Sequence, residues 1–235
     1  MGTYLVAGGS KGIGLATVKR LAEQGHELCV VSRTRGDLDA ATKHIACDFT
    51  ESAPASEALP EKLDGLVYCP GSIQLRSFRL LKIEQFLEDF NVNVLGAVRL
   101  LKAAMPALQR GAEEAGRPSS VVLFSTVAVA AGMPMHASIA TAKGALEGLV
   151  RSLAAEWAPK VRVNAIAPAL VETDLSARFF ATPEKAEAMA ARYPLKRAGR
   201  PDDIAACASY LLGDGADWVT GQVIGVDGGM SALRS

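Results

Sequence analysis

The chain has 235 residues, enough for one large α/β core spanning 1–235 without a forced split into separate domains. Hydrophobic residues make up 49% and charged residues 21%, and the formal net charge is zero, which argues against a disordered chain and against a nucleic-acid partner. Cys29, Cys47, Cys69 and Cys207 form no CxxC pair and no metal-ligand spacing, so reduced thiols and no metal are expected. No apolar run reaches the ~18 residues of a membrane span, and a start directly into a strand, without a charged leader, fits a cytoplasmic protein with no membrane partner.

Short β-branched or apolar runs at 4–7, 28–31, 66–68, 121–124, 161–166 and 223–226 predict strands. Between them, helical periodicity over 14–24, 83–109, 140–157 and 202–212 predicts amphipathic helices. Strands alternating with helices imply βαβ units, and hence a doubly wound, mostly parallel, seven-stranded sheet of Rossmann type with helices on both faces. Segment 111–119 reads as a polar turn ahead of the fifth strand. Two proline-flanked helical pieces within 176–201 fall between a strand end and the next main helix, where a substrate lid is expected.

The first strand runs straight into Gly8, Gly9, Ser10, Lys11, Gly12, Ile13 and Gly14, after which a helix begins. Glycines at 8, 12 and 14 permit a tight turn and let backbone N–H groups and a helix N-terminus approach a pyrophosphate. A dinucleotide site that takes NAD usually carries an acid at the end of the second strand. Here that strand ends Val31, Ser32, Arg33, with no carboxylate until Asp37. Lys11 and Arg33, with Arg35 nearby, are therefore expected to meet the 2′-phosphate of NADP(H).

These glycines, the Cys47-Asp48-Phe49 segment, Asn93-Val94-Leu95-Gly96, Ala165-Ile166-Ala167-Pro168 followed by Val171 and Thr173, and the terminal Val226-Asp227-Gly228-Gly229 together resemble the short-chain dehydrogenase/reductase family. In layout the chain looks like the 3-oxoacyl-carrier-protein reductase branch. The resemblance implies that Asp48 touches the adenine and that the backbone around Gly71 lines the adenosine side. It implies also that Pro168, Val171 and Thr173 border the nicotinamide. Gly71 alone matches the family's Asn-Asn-Ala-Gly, since Tyr68, Cys69 and Pro70 precede it. A helix N-cap is the plain alternative for Thr173.

The family's chemistry uses Asn, Ser, Tyr and Lys, the last two one helical turn apart so that the ammonium lowers the phenol's pKa. By the resemblance Asn93 stands for the Asn, Thr126 with Ser125 beside it for the Ser, and Lys143 for the Lys, which also holds the ribose. The Tyr position is Ile139. Isoleucine neither gives nor takes a proton, and a positioned general acid or base contributes ~10²- to 10⁴-fold. His136 is one substitute, three residues earlier; Ser138, rotated about 100° around the helix, is a poorer one. A third arrangement has Ser125 and Thr126 polarise a carbonyl while water supplies the proton.

Two functions follow. One is an NADP(H)-dependent oxidoreductase for a small carbonyl, alcohol or activated alkene, with an altered proton route. The other is an impaired cofactor-binding protein, acting as a sensor or as the inactive subunit of a hetero-oligomer. The family also implies a homodimer or homotetramer built on the 140–157 helix and the 223–229 tail. Phe179, Phe180 and Met189 in the 176–193 segment suggest an apolar substrate wall, or core.

Overall fold

A computed structural model describes residues 1–233 of the chain. Its elements in order are β1 (Thr3–Ala7), α1 (Gly12–Glu23), β2 (Glu27–Ser32), β3 (Lys43–Ala46), β4 (Gly65–Tyr68), α2 (Ile83–Phe90), α3 (Gly96–Ala115) and β5 (Ser119–Phe124). They continue with α4 (Ala128–Ala131), α5 (Ala137–Trp157), β6 (Val161–Pro168), α6 (Pro183–Ala191), α7 (Pro201–Leu212) and β7 (Val223–Val226). The strands form one seven-stranded parallel sheet in the order β3-β2-β1-β4-β5-β6-β7.

Alternation along β1 sorts its side chains to two separate cores. Leu5 and Ala7 pack with Leu100, Leu108, Leu146 and Val150 under α3 and α5, while Tyr4 and Val6 pack with Val18, Leu21, Ile204 and Leu211 under α1 and α7. The doubly wound fold expected from the strand-helix alternation is present. Among the described residues no helix is long and apolar enough to cross a membrane.

The order reverses between β1 and β4, whose first and fourth strand ends therefore diverge into a crevice. Such a switch point is where open α/β sheets bind ligands. Ser120 and Arg162 hold the opposite end of the sheet: Ser120 Oγ donates to the Leu211 carbonyl at 2.8 Å and Arg162 to the same carbonyl at 2.9 Å. The buried guanidinium thereby ties the end of α7 to the sheet.

Three elements differ from the sequence reading. Strand β3 has no apolar pattern because it is an edge strand with one neighbour and half-exposed side chains. The single helix expected over 83–109 is broken by a π-helical turn at Asn91–Leu95, a feature that recurs at functional sites. Segment 111–119 is not a turn throughout, for α3 runs on to Ala115 and ends at Gly116 in the left-handed conformation, φ 63°. Gly111 belongs to that helix because its face meets the backbone of Leu63: an added Cβ would lie 2.0 Å from the Leu63 carbonyl oxygen.

That contact generates a stability test. Gly111→Ala forces helix and loop apart and is expected to cost about 2 kcal/mol or more in urea unfolding. Gly148→Ala, on α5 with nothing within 4 Å of the added methyl, is expected to be neutral or stabilising by up to ~1 kcal/mol.

Candidate active site

The glycine-rich turn joins β1 to α1 at the crevice. Gly8 and Gly12 have φ of 69° and 52°, which disfavours any side chain there. A Cβ on Gly14 would lie 2.2 Å from the Gly8 carbonyl oxygen, so the turn closes only over bare backbone. Helix α1 then starts without a side-chain cap, with no acid in its first turn, and with Lys11 at the N-cap position. A cation at the positive end of a helix is unfavourable by itself and becomes favourable once an anion sits between them. The turn therefore fits a phosphate group.

A cleft of about 850 Å³ extends from this turn, lined by Gly8, Ser10, Lys11, Gly12, Ile13, Gly14, Ser32, Arg33, Asp48, Gly71 and Thr173 among others. All of these were singled out from sequence. Its cations differ in availability. Arg35 is turned away, its guanidinium donating to the carbonyls of Asp39, Ala40 and Thr42 at 2.7–2.8 Å. It shapes the loop after β2 and does not reach the cleft, because three backbone acceptors compete successfully for its fork. Arg33 is exposed on the cleft wall, facing Asp48. Lys11 is solvated, 3.7 Å from Asp174, an exposed pair of little energetic weight.

Asp48 is held by the Thr50 N–H at 2.9 Å and hydroxyl at 2.7 Å. Those two hydrogen bonds, with Arg33 nearby, pull its carboxyl below the ordinary aspartate pKa. Ser32 Oγ donates to the Thr34 carbonyl at 2.8 Å and meets His44 Nε2 at 3.0 Å, so the hydroxyl is already engaged. Thr173 is the N-cap of a short 3₁₀ turn at Asp174–Phe179, where Ser176 Oγ accepts its N–H at 3.0 Å. Its cap role and its place on the cleft wall coexist.

Beyond Gly71 the cleft opens into a smaller chamber of about 240 Å³. Ile13, Cys69, Gly71, Thr173 and Leu175 line both. The chamber walls include Thr126, His136, Ile139, Lys143, Pro168, Val171, Phe179 and Met189. Phe180, expected beside Phe179 on that wall, does not line it. Two phenols lie near the cleft and chamber: Tyr68 is buried and donates to the Val92 carbonyl at 2.7 Å, and Tyr193 is buried on the chamber wall.

Lys143 lies one turn beyond Ile139 on α5, both buried and both on the chamber wall. Its Nζ donates to the Phe124 carbonyl at 2.6 Å. Burial pushes its pKa down to about 8, opposed by Asp89. The Cys69 thiol is pushed up to about 12 by burial, so it is an un-ionised wall group.

The hydroxyls are not equivalent. Ser125 lines the chamber, with its Oγ donating to Glu147 Oε1 at 2.7 Å. Both residues line the chamber, Ser125 and Thr126 alike, and they differ in what their hydroxyls already hold. Thr126 Oγ accepts the Ala128 N–H at 3.3 Å, which leaves its proton for a ligand in the chamber. His136 Nδ1 meets the Pro134 carbonyl at 2.7 Å, as befits a residue preceding α5. Asn93, in the π turn, donates from Nδ2 to the Asp89 carbonyl at 2.8 Å and to Ser72 Oγ at 3.0 Å, while its buried Oδ1 is without a partner. Ser72 and Asp89 escaped the sequence reading. The available signal was the helical period, which sets Asp89 on the same buried face as Asn93, Gly96 and Leu100.

The comparisons with known proteins agree with this fold. Residues 7–231 match the family model described as enoyl-(acyl carrier protein) reductase. The chain is 31% identical to L-xylulose reductase of Bos taurus, covering 97% of this chain and 96% of that protein. It is similar to a variant of actinorhodin polyketide ketoreductase solved with NADPH, with a TM-score of 0.88, 26% identity and coverage of 99% and 98%. It is similar also to a 3-ketoacyl-(acyl-carrier-protein) reductase from Brucella melitensis complexed with NADH, with a TM-score of 0.85, 25% identity and coverage of 98% of each chain.

The buried ammonium carries a stability consequence. Between pH 8 and 10 the unfolded chain holds more of the Lys143 proton than the folded one, so this group makes stability rise with pH across that window. Lys143→Met is expected to raise Tm by about 2–4 °C at pH 7 and to lose that advantage as pH climbs above 8. Melting curves at four pH values check it, and a lower Tm at pH 7 would contradict the burial penalty.

Proposed function

Because this chain belongs to the short-chain dehydrogenase/reductase family, we propose that it is an NADP(H)-dependent oxidoreductase for a small carbonyl, alcohol or activated alkene. The observation that carries this reading is the continuity of the glycine-rich cleft with an apolar chamber that has Lys143 and Thr126 on its wall. When bound, the dinucleotide supplies or accepts the hydride.

The chain's own residues perform the remaining tasks. The bare backbone from Gly8 to Gly14 and the first turn of α1 hold the pyrophosphate. Arg33, with Lys11, takes the 2′-phosphate, which a planar guanidinium grips at two oxygens. Lys143 directs its remaining protons to the ribose side, and Thr126 donates to the substrate oxygen. The walls made by Phe179 and Met189, from the 176–201 segment, exclude water and favour an apolar substrate body. Ile139 presents only hydrocarbon where the resemblance puts the phenol, so the proton travels by another route.

A second reading is favoured by that same buried isoleucine: a cofactor-binding protein that senses NADP(H) or completes a hetero-oligomer without turnover. In either case the chain is proposed to form a homodimer or homotetramer, which the exposed apolar side chains of Ile83 and Leu87 on α2 support.

Fluorescence titration of the native chain is expected to favour NADPH over NADH. Arg33→Ala is expected to erode that preference by about tenfold or more, the scale of a lost charged hydrogen bond. An undiminished preference would remove Arg33 from the phosphate site. Ile139→Tyr, which sets a phenol one turn from Lys143, is expected to raise ketone reduction by about tenfold or more. A variant that binds NADPH and gains nothing would favour the sensor reading.

A further inference from the structure

Asp89, in the last turn of α2, is completely buried. A carboxylate in that position is stable only with full hydrogen bonding. Both oxygens are met by hydroxyls: Ser72 Oγ donates to Oδ1 at 2.5 Å, and Ser138 Oγ donates to Oδ2 at 2.6 Å. Among the described residues no ammonium or guanidinium bonds to it, and Lys143 is the cation whose field it reaches. The orientation of the cluster follows from chemistry. A carbonyl only accepts, so the Asn93 atom facing the Asp89 carbonyl is its amide nitrogen, and that nitrogen also donates to Ser72 Oγ. Ser72 Oγ therefore receives one hydrogen bond, gives its proton to Asp89, and keeps one lone pair.

Ser72 is half-buried on the chamber wall, in company with Thr126, Ile139 and Lys143. Ser125 on the same wall also donates to a carboxylate, but Glu147 is paired with Arg151 at 3.6 Å, whereas Asp89 is met by hydroxyls. Thr126 has only a backbone N–H, and His136 only a backbone carbonyl.

We propose that Ser72 and Asp89 form a proton relay that replaces the missing phenol: Ser72 Oγ exchanges the proton with the substrate oxygen, and Asp89 acts through Ser72 as the reservoir. The inference rests on the oxidoreductase reading above. In alcohol oxidation the substrate O–H bond breaks and its proton goes to Ser72 Oγ, while the hydroxyl proton of Ser72 goes to Asp89 Oδ1. The carbinol C–H pair leaves as hydride to the oxidised nicotinamide dinucleotide, and the C=O bond forms. After product departs, the same hydroxyl returns the proton from Asp89 to water in the cleft. Carbonyl reduction runs these transfers in reverse, starting from protonated Asp89. Because the serine loses one proton as it gains another, no free alkoxide is formed.

The test uses the full chain with NADPH and a panel of linear and cyclic ketones, and with NADP⁺ and the matching alcohols. Ser72→Ala and Asp89→Asn are each expected to lower kcat by about 100-fold while NADPH affinity holds, and the double variant to lose no more than either, as expected of groups acting as a unit. Ile139→Tyr in the Ser72→Ala background is expected to restore turnover, which a purely structural serine would not allow. A readout without turnover comes from protein labelled with ¹³C at aspartate carboxyls. The signal missing in Asp89→Asn is expected to shift in Ser72→Ala, and to shift in the native chain when NADP⁺ and cyclohexanol are added together. Should Asp89→Asn fail to fold, Ser72→Ala and its rescue decide alone. Turnover unchanged in Ser72→Ala, or no rescue by the phenol, overturns the relay and leaves the oxidoreductase reading intact. A native chain that binds NADPH and turns over nothing overturns both.

Discussion

The approach of Gly14 to the carbonyl of Gly8 governs the rest of the molecule. With 2.2 Å between that oxygen and the place of a Cβ, the chain can turn from β1 into α1 only as bare backbone. The turn then aims an uncapped helix N-terminus across the crevice at the reversal of strand order. Everything that lines the cleft is placed relative to this junction: Arg33 from the end of β2, Asp48 beyond β3, Gly71 beyond β4 and Thr173 beyond β6. Four parallel strands deliver four loops to one edge because parallel strands all end on the same side.

The chamber beyond the cleft combines two demands that usually conflict. Its apolar walls exclude water, yet Lys143, Asn93, Ser72, Ser138 and Asp89 are packed around it or just behind it. The conflict is resolved locally: the Phe124 carbonyl accepts a hydrogen bond from Lys143, and four hydrogen bonds knit Asp89, Ser72, Ser138 and Asn93 together. The π turn at Asn91–Leu95 is part of this arrangement, since it brings the Asn93 amide back onto the carbonyl one turn before it. Ile139 sits in the midst of these groups as a hydrocarbon surface.

Legibility in the sequence followed the range of the signal. Strands buried on both faces, such as β4, β5 and β6, and the glycine-rich turn announce themselves within ten residues. Edge strand β3 did not, because half-exposed side chains leave no apolar run. Arg33 and Arg35 look alike in sequence, yet one faces the cleft and the other is consumed by three carbonyls of a loop that only folds around it. Ser125 and Thr126 are adjacent and both line the chamber, yet the Ser125 hydroxyl donates to Glu147 while that of Thr126 accepts from the Ala128 N–H. Gly111 read as a turn residue, while its lack of a side chain serves a close helix-to-loop contact with residue 63, 48 positions away in the chain.

By itself the sequence determined the doubly wound fold, the glycine-rich turn and many of the residues that line the cleft. These depend on periodicity and on glycine spacing, which are local properties of the chain. Tertiary structure alone decided which hydroxyls line the chamber and what stands behind them. Asp89 and Ser138 are 49 positions apart and Asp89 and Ser72 are 17 apart, and no local pattern encodes a hydrogen bond between them. It exists because α2 packs on α5 beside the strand end at Gly71, where a buried carboxylate must find its donors among whatever side chains the packing brings within reach.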